Sequence, residues 1–155
     1  ITQRLKYHTD LAVGRYFSEI LGERLAESGL YEDVDIVVPV PLHWSRKWSR
    51  GYNQSAVIGE RLAHCLGADL REDILYRSRR TRSQTKLSVE AKSRNVSNAF
   101  KARKTVRSEG IGHILLVDDV FTTGATLCAC HRALRSAFPP PVKISIATLA
   151  CVGTQ

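Results

Sequence analysis

The stretch LLVDDVFTTGAT, Leu115 to Thr126, decides how the chain is read. With Ile114 before it, the apolar run ILLV reads as a buried strand, and two adjacent carboxylates, Asp118 and Asp119, mark its end. A turn of threonines around Gly124 follows at once, and then Leu127, His131 or Cys130, Leu134 and Phe138 align on a helical face. Backbone N–H groups at a helix start lack partners and, with the helix dipole, attract an anion. Gly124 lets the backbone curl without a Cβ, and the hydroxyls of Thr122, Thr123 and Thr126 add donors. The natural occupant is a phosphate monoester. Two acids beside it would repel the phosphate if aimed at it. They read instead as acceptors for vicinal hydroxyls elsewhere on the same ligand, or as holders of Mg²⁺ directly or through water. The alternative is that Asp118 and Asp119 merely cap a helix and face solvent.

Working outward, a helical pattern covers Asp10 to Gly29, with Val13, Phe17, Ile20 and Leu21 on one face and Leu25 a turn on. Asp10 is suited to cap its start and Gly29 to close its end. Val34 to Leu42 reads as a short buried strand that should stop at Pro39 and Pro41, which cannot donate to a ladder. His43 to Ser55 is a polar loop. A second helix should bury Ile58, Leu62, Cys65 and Leu66 and end at Gly67. A strand begins at Ile74 and turns into a basic run with Arg77, Arg79, Arg80, Arg82 and Lys86. Ser88 then reads as the N-cap of a short helix to about Asn98. Pro139, Pro140 and Pro141 end the helix after Gly124, and VKISIATLACV is a last strand. Strands alternating with helices imply an α/β fold with a mainly parallel central sheet flanked by helices. Ligands then sit beyond the carboxyl ends of the strands, where both the acid pair and residues 39–42 fall.

The 155 residues suit one domain, with no repeat or second domain. Hydrophobic residues at 43% and charged residues at 25% are ordinary for a soluble protein. No stretch is long enough to span a membrane and no signal-peptide pattern is present, so the cytoplasm is the expected location. A net charge of +8 and a pI of about 9.6 favour an anionic partner, either nucleic acid or a small phosphorylated metabolite, or else a plain basic surface. Cys65, Cys128, Cys130 and Cys151 do not resemble a disulfide framework. Cys128 and Cys130, followed by His131, invite a metal reading. Two residues apart on a helix they point to different faces, so core packing is the expectation. His43, Trp44 and Trp48 either stack on a base or cover the loop. His8 and His64 read as surface residues. Arg46, Lys47 and Arg50 are phosphate ligands or a solvated rim, with Arg50 beside Gly51 preferred as a ligand. The chain begins at Ile1 and contains no methionine, from which a longer parent protein is expected.

LLVDDVFTTGAT resembles the phosphoribosyl-pyrophosphate (PRPP) loop of the type I phosphoribosyltransferases. The series VVPVPLHWSRKWSRGYNQS, RTRSQTKLSVEAKSRNVSNAF and LLVDDVFTTGAT, in this order, resembles the ComF (competence protein F) family, with RGYNQS the discriminating element. The resemblance runs from LKYHTDLAVGRYF onward. It implies the type I phosphoribosyltransferase fold with a flexible loop over the site, and PRPP as ligand. Asp118 and Asp119 would be the catalytic pair that binds the ribose hydroxyls and Mg²⁺. Thr122, Thr123, Gly124, Ala125 and Thr126 would hold the 5′-phosphate. Val40, Pro41 and Leu42 would form a pyrophosphate loop, often with an unusual peptide bond, and Arg50, Arg80, Arg82 and Lys86 would also meet the pyrophosphate. The basic run would close over the leaving group, whose growing charge needs cations. The family's N-terminal zinc-binding segment is missing, in keeping with a longer parent. Thr122 replaces the acid of purine-salvage enzymes, which argues against hypoxanthine or guanine as acceptor. Two functions follow: transfer of a phosphoribosyl group to an unidentified acceptor in nucleotide metabolism, or a non-catalytic PRPP sensor or single-stranded-DNA accessory of transformation. Contact with DNA is expected to be weak and electrostatic.

Overall fold

A computed structural model describes residues 11–42, 52–78, 99–103 and 109–152. The elements in chain order are α1 (Leu11–Glu27), β1 (Ile36–Pro39), α2 (Gln54–Leu66), β2 (Asp69–Leu70), β3 (Leu75–Arg77), β4 (Phe100–Ala102), β5 (His113–Phe121), α3 (Ala125–Ala137) and β6 (Lys143–Cys151). Four strands form a parallel sheet in the order β2-β1-β5-β6, and β3 and β4 form a separate antiparallel ribbon. The expected mainly parallel sheet flanked by helices is therefore present.

The continuous apolar runs of β1 and β5 are explained by cover on both faces. Ile36, Val38, Ile114 and Leu116 pack with Leu127, Cys130 and Leu134 of α3, with Phe138 just after it, and with Ile74 beside the ribbon and Phe100 within it. Val37, Leu115 and Val117 face the other way, onto Ile58 and Leu62 of α2 and Leu21 and Leu25 of α1. Alternation along each strand thus feeds two cores from one sheet.

Several elements differ from the sequence expectation. The strand opened by Ile114 does not end at the acids. It continues to Phe121, with Asp118 paired to Thr148 and Phe121 to Cys151. Its neighbour β6 is nine residues long and supplies ladder partners past the acids. β1 does stop at Pro39, and the Val40 N–H is the last donor there, bonding the Val117 carbonyl at 2.8 Å. On α1, Phe17 is 38% exposed and sits edge-on to exposed Tyr16 instead of facing the core. Gly14, Ser18 and Gly22 are buried in its place. A Cβ on Gly22 would lie 2.7 Å from Cys65 Sγ, so close approach of α1 and α2 selects small residues over an apolar stripe. α2 ends as expected at Gly67, in the left-handed conformation with φ 65°.

The amino ends of the strands are stitched by side chains. Asp35 Oδ2 accepts from the backbone N–H groups of Gly112 (2.7 Å) and His113 (2.9 Å). His113, only 1% exposed, sets Nδ1 2.7 Å from Asp33 Oδ1 and Nε2 2.8 Å from Ser145 Oγ. The His113 bond holds the Asp33 carboxyl below its ordinary value.

Candidate functional site

The site is built at the carboxyl ends of β1 and β5. Gly124 carries a left-handed backbone, φ 73° and ψ −3°, and opens α3 without a side-chain cap. The Thr123 hydroxyl reaches the Ala125 N–H only at 3.5 Å. The first turn of α3 therefore offers N–H groups outward, as its sequence requires. A Cβ at Gly124 would come within 3.1–3.2 Å of the Phe121 ring, so both conformation and space reserve the position for glycine. Asp118, Val120, Phe121, Thr122, Gly124, Ala125, Thr126 and Leu127 line one hollow of about 30 Å³. Asp118 and most of the threonine–glycine turn thus share one concavity.

Asp118 does not cap a helix or face solvent. It lies within β5, and its Oδ1 accepts two hydrogen bonds, from Ser55 Oγ and from the Asp119 N–H, each at 2.9 Å. Burial first, and the neighbouring Asp119 charge second, raise its pKa from 3.8 to about 6, against the opposing pull of the Ser55 bond. The acceptor capacity left on Asp118 and the Asp119 carboxylate are hard oxygen donors suited to sugar hydroxyls or a hydrated divalent ion. Among the described residues no group of three or more His, Cys, Asp or Glu could hold a metal.

Residues 40–42 follow β1 and do not line this hollow. Asn53, 8% exposed, precedes α2, and its Nδ2 donates to the Val40 carbonyl at 3.1 Å. Its Oδ1 is buried without a partner among the described residues. Gln54 and Ser55 are also buried. These polar residues of the RGYNQS element are what sequence reasoning missed: it used the motif to recognise a family and gave Asn53 and Ser55 no task. Three polar residues opening an apolar helix was the available signal. The unusual peptide bond expected at residues 40–42 is not found between them; among the described residues the cis bond joins Pro140 and Pro141.

Other expectations divide. Cys130 is buried in the core, with its thiol pushed upward by burial, whereas Cys128 is exposed and does not pack the core as expected. His64 is at the surface. His8, the loop residues His43, Trp44, Arg46, Lys47, Trp48 and Arg50, and the basic residues Arg79, Arg80, Arg82 and Lys86 lie outside the described residues, as does the helix expected from Ser88 to Asn98. A larger groove of about 530 Å³ lies between β4 and α3, lined by Phe100, Lys101, Arg103 and Ser136 among others, and holds none of the expected site residues. Among the described residues no helix is long and apolar enough to cross a membrane.

No family model matches the chain. It is similar to competence protein F of Haemophilus influenzae, with 29% identity over 138 residues that make up 87% of the chain and 60% of that protein. DNA utilization protein YhgH of Salmonella typhi is 44% identical over 101 residues, 64% of the chain and 43% of that protein. Competence protein ComFC of Bacillus subtilis is 30% identical over 132 residues, 84% of the chain and 50% of its own length. The chain thus spans about half the length of the curated relatives it matches. Each of these similarities is to a protein named for competence or DNA utilization, which supports the ComF resemblance read from RGYNQS.

Proposed function

We propose that the chain binds PRPP at the carboxyl ends of β1 and β5 and is a phosphoribosyltransferase-like protein of type I fold, working in a process linked to DNA uptake. The observation that carries this reading is the shared hollow, in which a largely buried carboxylate and an uncapped helix start face the same space. A sugar phosphate needs both an anion site and hydroxyl acceptors, side by side. The names of the relatives, competence and DNA utilization, support the link to DNA uptake.

In this mechanism the N–H groups and hydroxyls of residues 122–126 hold the 5′-phosphate. Asp118 and Asp119 accept from the ribose hydroxyls and so fix C1 relative to the leaving group. Pyrophosphate lies toward Val40, Pro41 and Leu42, with Arg50, Arg80, Arg82 and Lys86 neutralising the charge that grows as the C1–O bond breaks in an oxocarbenium-like state. The acid pair and the ligand's phosphates make a suitable oxygen set for Mg²⁺, which when bound would neutralise pyrophosphate. The protein's own contribution is position and electrostatics, with no covalent intermediate. The acceptor is left unnamed. A second reading, a PRPP-sensing or DNA-handling protein without catalysis, is favoured by the relatives' names and by the +8 charge.

Titration with PRPP–Mg²⁺ and with a labelled single-stranded oligonucleotide, at two salt concentrations, separates the ligands. The double variant Asp118→Asn, Asp119→Asn should lose about a hundredfold to ten-thousandfold in PRPP affinity, from two charge-assisted bonds of roughly 1.5–3 kcal/mol each. Oligonucleotide binding should survive the double change and weaken with salt. PRPP affinity untouched by the variant would refute the reading. Pyrophosphate release with candidate acceptors then separates enzyme from sensor.

A further inference from the structure

The hollow is lined by residues between Asp118 and Leu127, whereas the segment after Pro39 leaves the neighbouring strand. The β1–β5 ladder joins the two main chain to main chain, through the Val40 N–H and the Val117 carbonyl, but does not tie that segment to the side chain of Asp118. A single helical turn does so. Asn53 reaches across thirteen positions to the Val40 carbonyl, and Ser55 across sixty-three to Asp118. Both are buried, and both lie at the start of α2, which is anchored by Ile58 and Leu62 in the core. The Ala56 and Val57 N–H groups bond the Asn53 carbonyl at 3.1 Å, so the turn carrying the two side chains is itself closed. Asn53 makes no side-chain cap for its own helix, although capping is the common use of asparagine there. Its amide is spent on the neighbouring segment.

We infer that Asn53 and Ser55 are positioning residues, and that the first turn of α2 is a bracket clamping the segment after β1 to the acid of β5, so that the pyrophosphate and ribose halves of the site are set together. This rests on the PRPP reading and adds to it residues that touch no ligand themselves. The Ser55 hydroxyl and the Asp119 N–H together occupy Oδ1 of Asp118, which turns the remaining oxygen to the ligand. The Asn53 amide fixes the Val40 carbonyl and hence the course of residues 40–42. Its buried Oδ1 has no partner among the described residues.

The test uses three ligands by calorimetry: PRPP–Mg²⁺, ribose 5-phosphate, and pyrophosphate–Mg²⁺. Ser55→Ala should weaken ribose 5-phosphate about tenfold or more, the loss of one hydrogen bond to a charged group, and leave pyrophosphate within about twofold. Ser55→Thr, which keeps the hydroxyl, should restore most of the loss. Asn53→Leu should show the converse pattern, and PRPP should suffer in both. Equal loss of both part-ligands in each variant would mean general loosening and overturn the bracket, as would a neutral Ser55→Ala. If the parent protein binds none of the three, the PRPP reading fails, and the bracket is then judged without ligand. In denaturant, Ser55→Ala should have a clear effect on stability in the parent and almost none in an Asp118→Ala background. Additive effects there would overturn it independently.

Discussion

Replacing Asp118 by asparagine should make the protein more stable and less functional. The acid is raised from 3.8 to about 6, chiefly by burial and then by the charge of Asp119. A displacement of roughly two units at 1.36 kcal/mol per unit is about 3 kcal/mol of preference for the protonated form in the folded state. The sign follows from linkage. The folded pKa is raised, so the associated stability is complete below about pH 4 and is lost as pH rises through about 6. At pH 7 to 8 the folded protein carries an ionised group that it disfavours by about 3 kcal/mol. Asparagine has no charge to bury, and its side-chain oxygen still accepts from Ser55 Oγ. Urea unfolding at intervals from about pH 4 to pH 8 should show Asp118→Asn gaining about 2–3 kcal/mol over the parent at the alkaline end and about nothing at the acid end. In a thermal scan near neutral pH the gain corresponds to about 4–12 °C for a chain of this size. A gain independent of pH would show that the charge is not the cause, and a loss at pH 8 would refute the argument outright. The same variant should bind PRPP poorly, which is the usual exchange between stability and a working site.

Gly124→Ala should cost about 1–2 kcal/mol through its left-handed backbone alone, with additional loss from the Phe121 ring, and should weaken inorganic phosphate binding; Gly124→Ala in a Phe121→Ala background, compared by urea unfolding with Phe121→Ala alone, isolates the backbone part. Exposed Cys128 and Cys151 should react with a thiol reagent in the native protein, and buried Cys130 only after unfolding; fast native modification of Cys130 would contradict its burial. Leu116 of β5, fully buried in the core shared with α3, should cost about 2–5 kcal/mol on truncation to alanine, measured by the same unfolding curves.

Much of the site was readable because its chemistry is local. The helix start after Gly124 needs only a glycine, a strand before it and an apolar period after it, all contiguous in sequence. Gly67 and Pro39 likewise act on their own backbone, and both end their elements where expected. What was not readable depends on partners distant in the chain. β5 runs on to Phe121 because β6, more than twenty residues away, supplies the ladder. Phe17 was expected inside, but the approach of α2 to Gly22 turned the small-residue face inward, and no single-helix pattern carries that information. The burial of His113 among Asp33, Asp35 and Ser145 and the reach of Ser55 to Asp118 are also long-range facts.

The extension of β5 also bears on the order of events when a ligand arrives. Asp118 sits inside the ladder, and beyond it Val120 and Phe121 are paired to Ala150 and Cys151. Its main chain cannot shift toward an incoming sugar without tearing paired strands apart. β1 ends at Pro39, with Val40 still held by the Val117 carbonyl and the Asn53 amide. The acid is therefore the fixed jaw of a vice, set before any ligand reaches it. Encounter should begin at the fixed jaw, with the ribose phosphate seated first and the diphosphate end gathered in afterwards.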